Sequence, residues 1–271
     1  MADFELMHFQ EGHLLSATAL SEAIGWPHRQ SDWKMLLAFS TGVVAKRNGQ
    51  VAGTALRSDF GPDLASIHMV IASPDARGRG LGRALMTSLL GATDRNIRLV
   101  STRSGRPLYE KLGFQDVARL VQHQGTLTAA PEAIGAQDAQ PRDLDSIRRL
   151  ESQSYGGDRS ALIEWLAENG ELAVMRSRSD VTGFAGCRRF GRGYVIGPVV
   201  AQDVQDTKTL IAHHLKGLVG QFVRLDIVRN VDLTPWLADA GLFMTNQSPV
   251  MERGTIPAAP DRMAVFSQGL G

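Results

Sequence analysis

A chain of 271 residues and 29.4 kDa has room for one large domain or two of ordinary size. Its 29 basic and 28 acidic residues leave a net charge of +1, and no lysine or arginine run offers a nucleic-acid surface. A single cysteine, Cys187, excludes an internal disulfide framework and a cysteine-rich zinc site, so a reducing cytoplasm is expected, with no metal and no nucleic-acid partner.

The first ten residues, MADFELMHFQ, are acidic where a signal peptide would be basic. No apolar stretch approaches the roughly 20 residues that span a bilayer, so no membrane partner is expected. Next, residues 23–37, AIGWPHRQSDWKMLL, hold two of the four tryptophans. Aromatic packing between helices is one explanation for them. Residues 41–61 read as an alternating strand, a polar turn and a second strand, and a buried strand follows at IHMVIA, residues 67–72.

The stretch RGRGLG, residues 77–82, then packs three glycines and two arginines into six positions. After it, Leu81, Ala84, Leu85, Ser88 and Leu89 fall at helical spacing, which predicts an amphipathic helix whose N-terminus carries the glycines. Helix N-termini present unpaired N–H groups and a positive dipole end, so an anion is favoured there. Gly78, Gly80 and Gly82 let a ligand reach the amides, while Arg77, Arg79 and Arg83 add counter-charge. A phosphate or pyrophosphate fits that pattern, and a glycine-rich turn with solvated arginines is the plain alternative. No lysine follows the glycines as a P-loop requires, and Arg83 stands where a dinucleotide fingerprint has its third glycine.

The remaining elements repeat this order. Residues 170–191 match 41–61, residues 194–215 match 67–90, and residues 223–243 match 97–114, each about 120 to 130 residues apart. Between the copies, residues 125–143 are rich in Ala, Gln, Gly and Pro. The expected architecture is a mixed α/β fold in two tandem domains of similar design, residues 1–127 and 138–271. The second copy has VVAQDVQDTKTL where the first has its glycines, so its aspartates would repel a pyrophosphate.

Residues 73–85, SPDARGRGLGRAL, resemble the acyl-CoA motif [QR]-x-x-G-x-[GA] of the GNAT N-acyltransferases, through Arg77, Gly80 and Gly82. The family's short helix after the fifth strand is matched by RPLYEKLGF, residues 106–114. The resemblance covers roughly residues 3–125 and implies two tandem GNAT-like acyl-CoA N-acyltransferase domains, the second degenerate. It implies that the backbone of Arg77, Gly78, Arg79, Gly80, Leu81, Gly82 and Arg83 binds the pyrophosphate of acetyl-CoA. It also implies that Met69, Val70 and Ile71 lie along the pantetheine arm, with an amide near Val70 polarising the acetyl carbonyl. Tyr109 would then protonate the departing thiolate, a tyrosine packed beneath a helix being the alternative.

Many family members carry a glutamate base on the strand before the glycine loop, where this chain has Ile67, His68 and Met69. His68 is the nearest candidate base, because imidazole titrates near neutrality; a hydrogen-bonded strand histidine is the alternative. Without a base, a lysine-like amine needs about 4.6 kcal/mol to be neutral at pH 7 and an α-amine only about 1. The family's early helices cover its substrate cleft, so Trp26, His28, Asp32 and Trp33 are candidate acceptor-pocket residues. Arg188, Arg189 and Arg192 read as a solvated hairpin, or as a face for an acidic acceptor. The expected activity is acetyl transfer from acetyl-CoA to a small-molecule or peptide primary amine, by a monomer or homodimer. An acyl-CoA-binding sensor without turnover and a nucleotide-phosphate binder are the competing readings.

Overall fold

The computed structural model describes residues 4–228, 233–257 and 261–271. Residues 1–3 of the first expected domain lie outside these, as do residues 229–232 of the last repeat block and 258–260.

The first repeat contains β1 (Glu5–His8), α1 (Leu14–Ala23), α2 (Gln30–Ala38), β2 (Thr41–Arg47), β3 (Gln50–Asp59) and β4 (Leu64–Ala72). It continues with α3 (Leu81–Leu90), β5 (Asn96–Val100), α4 (Arg106–Lys111) and β6 (Gln115–Thr126). The second follows the same order: β7 (Gln137–Asp138), α5 (Leu144–Tyr155), α6 (Ser160–Asn169), β8 (Glu171–Ser177), β9 (Asp180–Phe190) and β10 (Gly193–Val200). It ends with α7 (Val204–Leu215), β11 (Phe222–Ile227), α8 (Thr234–Asp239), β12 (Phe243–Arg253) and β13 (Arg262–Ala264). The turn between β2 and β3 places Asn48 and Gly49 at φ 50° and 77°, the left-handed pair that matches the twist of a two-residue hairpin.

Among the described residues these strands form a single 13-stranded mixed sheet, in the order β1-β2-β3-β4-β5-β12-β6-β11-β13-β10-β9-β8-β7. The repeats exchange their last long strands. β12 of the second lies beside β5 of the first, and β6 of the first lies beside β11 of the second, with β6 and β12 paired antiparallel at the centre. The stretch at 127–138 that divides the repeats in sequence therefore does not divide the sheet. A hydrophobic cluster also crosses between them, joining Trp33, Leu36, Phe60 and Ile71 to Ile147, Tyr155, Phe184 and Phe266.

α3 buries Leu81, Leu85, Met86 and Leu89 against β2, β3 and β4, each contributing about 1.5–3 kcal/mol of apolar burial. Ser88, expected on the core face, is exposed, and Ala84 is only partly covered. The helix is rotated so that the larger, apolar Met86 gains the burial. Gly53 in β3 permits the contact: a Cβ there would stand 2.9 Å from Leu81 Cδ2 and 2.8 Å from the Ile71 carbonyl oxygen.

Two features of β4 open the sheet. β4 and β5 pair in parallel only from Leu64–Ser66 to Asn96–Arg98. Further along, Met69 and Val70 together oppose Ala55 alone, a bulge that puts Met69 at φ 50° and is held by Thr54 Oγ1 donating to the Met69 carbonyl at 2.8 Å. The two strands thus part at the level of the bulge. In the second repeat β10 and β11 part in the same way, but β13 fills the opening, pairing Ala264 with both Val199 and Ile227.

Candidate active site

The loop leading into α3 is exposed from Arg77 to Gly80. Gly78 and Gly80 adopt φ values of 72° and 80°, and a Cβ at either would meet nothing. Their requirement for glycine is therefore conformational. Among the described residues, the amides of Gly78, Arg79, Gly80, Leu81, Gly82 and Arg83 donate to no carbonyl or side chain within the protein; the first helical bond here runs from Ala84 N to Gly80 O. Six consecutive free donors, a helix N-terminus and three arginine side chains converge on solvent. A pyrophosphate fits this cradle.

At the corresponding place in the second repeat, the α7 N-terminus is already occupied. Asp203 caps it, its side chain accepting the Asp206 amide at 2.8 Å. With β13 in the opening beside it, the described residues of this repeat offer neither a free cradle nor a gap.

A cavity of about 260 Å³ begins in the gap between β4 and β5, where Ile67, His68, Met69, Val70, Val100, Ser101 and Thr102 line it. Tyr109 also lines it, from α4. That helix ends in a left-handed Gly113, with Gly113 N bonded to Glu110 O and Phe114 N to Tyr109 O. The Tyr109 ring packs edge-on against Phe114 at 5.9 Å. Burial pushes its phenol up to about 12. At neutral pH it therefore holds its proton and can only give one. Tyr109 thus packs its ring in the core of the first repeat and also faces the cavity.

His68 sits where its strand position placed it, lining the cavity with Nε2 hydrogen-bonded to Ser58 Oγ at 2.9 Å and Ser40 Oγ at 3.2 Å. The premise that it titrates near neutrality needs correction. Burial, with a smaller contribution from His28, pushes it down to about 3, which makes it a poor proton acceptor at pH 7.

Of the four expected acceptor residues, Trp26 and His28 line the cavity, from the loop before α2. Their rings lie 5.7 Å apart, and His28 meets Phe190 edge-on at 5.3 Å. Asp32 and Trp33 do not line it. They fall on the covered face of α2, one turn beyond the loop. Asp32 is tied to Arg29 at 2.7 Å and accepts the Gly191 amide at 3.1 Å, which staples the two repeats together. Trp33 is fully buried, stacked on Phe9, with Nε1 donating to Ser21 Oγ at 3.1 Å.

Of the second half of the cavity, the sequence singled out only Arg188 and Arg192, as one face for an acidic acceptor. Its wall runs across the sheet, where register aligns Arg188 of β9, Val195 of β10, Arg224 of β11 and Gln124 of β6. Beside that row, Asp226, Gln122 and Asn246 align across β11, β6 and β12. All seven line the cavity. Asp226 is buried and holds Arg224 through two bonds of 2.9 and 3.1 Å. Arg189 and Arg192 are exposed, as in a solvated hairpin, although Arg192 also lines the cavity; Arg188 is 2% exposed and lines it from within. Alternation explains the difference. Phe184, Gly186, Arg188 and Phe190 share one face of β9, and that face turns inward. His213 and His214 diverge as helical neighbours do: His213 meets Asp138 at 2.8 Å and His214 faces the Ala185 carbonyl.

A GNAT acetyltransferase domain model matches residues 39–116, and a second one matches residues 147–267. The chain belongs to the GNAT acetyltransferase family. Its two GNAT-like domains stand in tandem and share one mixed sheet. An uncharacterized N-acetyltransferase, YitH of Bacillus subtilis (strain 168), is 24% identical over 91% of this chain and 90% of its own length. Among solved structures, a putative acetyltransferase from Pyrococcus horikoshii superposes with a TM-score of 0.85 at 16% identity, covering 100% of this chain and 97% of the other. A tandem GNAT protein from the clavulanic acid biosynthesis pathway gives 0.64 at 15% identity, over 94% of this chain and 99% of the other. At these identities the superpositions speak for the fold alone. As a GNAT chain it has acyl transfer from acyl-CoA as its family chemistry, and the free cradle and adjoining gap of the first repeat fit that cosubstrate.

Proposed function

We propose that the chain is an N-acetyltransferase that moves an acetyl group directly from acetyl-CoA to a primary amine, using one site, in the first repeat. The observation that carries this reading is the presence of three parts in one repeat: six unpaired amides at the start of α3, the opening beside the β4 bulge, and Tyr109 facing the cavity that begins in that opening. Acetyl-CoA supplies a thioester carbon for attack. Arg77 to Arg83 hold its pyrophosphate, Met69 to Ile71 align its arm, and Val70 lies where an amide can polarise the carbonyl. As the carbon–sulfur bond breaks, Tyr109 gives the phenolic proton to the departing sulfur and regains one from the attacking nitrogen, which sheds a proton as the amide forms.

Direct transfer is supported by the nucleophile inventory. Cys187 is buried in the core of the second repeat, its thiol pushed up to about 12 by burial, and it does not line the cavity. Among the described residues, the histidines that line the cavity are both pushed down by burial, His28 to about 4 and His68 to about 3. The acceptor accordingly reacts as an amine already neutral on binding, which favours α-amines and other weakly basic amines over lysine-like ones. In this reading residues 1–127 carry the cosubstrate, and residues 138–271 complete the acceptor side. The protein is a cytoplasmic monomer or homodimer; among the described residues no helix is long and apolar enough to cross a membrane.

Release of CoA thiol from acetyl-CoA, followed with purified protein across a panel of primary amines, tests the proposal. Amine-dependent release is expected. Tight acetyl-CoA binding with no release from any amine would instead assign the chain as an acyl-CoA sensor.

A further inference from the structure

The wall that the second repeat contributes carries an unbalanced charge. Arg188 is 2% exposed, yet among the described residues it makes no ion pair with any carboxylate. Its Nη1 and Nη2 reach the Arg189 and Phe266 carbonyl oxygens at 3.3 and 3.1 Å, and its Nε has no partner. The guanidinium lies 4.4 Å from the Phe266 ring centre and 5.3 Å from that of Phe190, within cation–π range of both rings. The neighbouring charges cancel elsewhere: Asp226 belongs to Arg224, and Asp32 belongs to Arg29. A buried cation of this kind is costly unless something completes it. Here the open side is the cavity.

Resting on the transferase reading above, we propose that the acceptor amine bears a carboxylate, and that Arg188 receives it at the end of the cavity formed by the second repeat. The acceptor is thus a small amino-acid-like molecule, its amine directed to the Met69 and Tyr109 end and its carboxylate to β9. Charge count selects a carboxylate over a phosphate monoester. Arg192 also lines the cavity but is exposed to solvent, so among the described residues that line it one buried guanidinium lacks a counter-ion and neutralises a monoanion, whereas a phosphate with about 1.5 to 2 charges would stay partly unpaired in a buried site. Geometry agrees, because Arg188 lines the cavity and its Nη1 and Nη2 each keep a hydrogen beyond their carbonyl bonds, a flat end that suits a planar carboxylate. The volume of about 260 Å³ lies below the ~300–1,000 Å³ of drug-sized pockets, which keeps the acceptor small. The role of the degenerate repeat follows: it supplies the specificity group that the first repeat lacks.

The test compares matched pairs of primary amines, each free carboxylate against its methyl ester, with rates and affinities referred to the concentration of neutral amine, in acetyl-CoA turnover and in ligand-detected NMR binding to the acetyl-CoA complex. Wild-type protein is expected to prefer the carboxylate member by about 10- to 100-fold in kcat/KM, or in Kd where turnover is slow. Arg188→Met should abolish the preference and Arg188→Lys should retain part of it, both with unchanged acetyl-CoA affinity, which also reports that each variant is folded. A wild-type protein that binds acetyl-CoA but treats ester and carboxylate alike overturns the inference and leaves the transferase reading standing. The same holds if the preference survives in folded Arg188→Met. Failure of wild-type protein to bind acetyl-CoA removes the transferase reading itself, and this inference with it.

Discussion

Replacing Gly80 by Glu and, in parallel, by Gln isolates the electrostatic role of the loop before α3. Gly80 sits at φ 80°, and an added Cβ would meet no atom within 4 Å. Both variants therefore carry the same left-handed backbone penalty, about 1–2 kcal/mol, and nearly the same bulk. Only the charge differs. Two unit charges about 6 Å apart repel by roughly 0.7 kcal/mol in water and about 2.8 kcal/mol at an effective dielectric near 20. A pyrophosphate diester presents about two such charges, and the cradle is exposed, so the lower part of that range applies. The Glu variant should bind acetyl-CoA about 1.5 to 3 kcal/mol more weakly than the Gln variant, roughly 10- to 150-fold in Kd. Calorimetry at low ionic strength reads this directly. In about 1 M salt, where the screening length falls to ~3 Å, the gap should shrink to a few-fold. Equal affinities for the two variants at low salt would refute a pyrophosphate at this helix terminus.

Three further outcomes are expected. Tyr109→Phe should lower kcat by about 10²-fold or more with little change in acetyl-CoA affinity, measured by thiol release and calorimetry, because only the proton donor is lost. Acidification should destabilise the fold, since burial lowers His68 to about 3 and His28 and His214 to about 4 in the native state. These groups bind protons more readily when unfolded, so stability is complete above about pH 6.5 and falls below it, by roughly 2 kcal/mol per histidine at pH 5. A Tm that drops by 10 °C or more between pH 7 and 5 is expected, and a flat profile would contradict the burial of these rings. Arg159→Met should cost about 3–5 kcal/mol in denaturant unfolding, because it strands Glu151, its wholly buried partner at 3.2 Å.

The parts of the site that were legible in the sequence are those built from neighbours along the chain. Gly78, Gly80 and the start of α3 form one local unit, and the glycine spacing already encodes its left-handed turns. Tyr109 is similar, since a six-residue helix ending in Gly113 sets which way its ring points. The acceptor side was only half legible. Trp26 and His28 precede α2 and face the cavity, but a few residues later the helix carries Asp32 and Trp33 round to its buried side. The wall from the second repeat could not be read locally, because its pairing partners are distant. Nothing in β6 or β12 states that the two strands will exchange repeats, as each would satisfy its ladder beside either neighbour. One usable signal was present in β9, where Arg188 alternates with Phe184 and Phe190 and so shares their inward face. The environment of His68 was equally hidden: Ser40, Ser58 and the covering Gly269 come from three separate parts of the chain.

Amide hydrogen exchange with and without acetyl-CoA tests the central claim of one cosubstrate site, in the first repeat, most directly. Protection is expected at Gly78 to Arg83 and along Met69 to Ile71, with no change at Asp203 to Asp206 of the second repeat. Protection of the α7 N-terminus, or unchanged exchange at the α3 cradle while acetyl-CoA is bound, would contradict it.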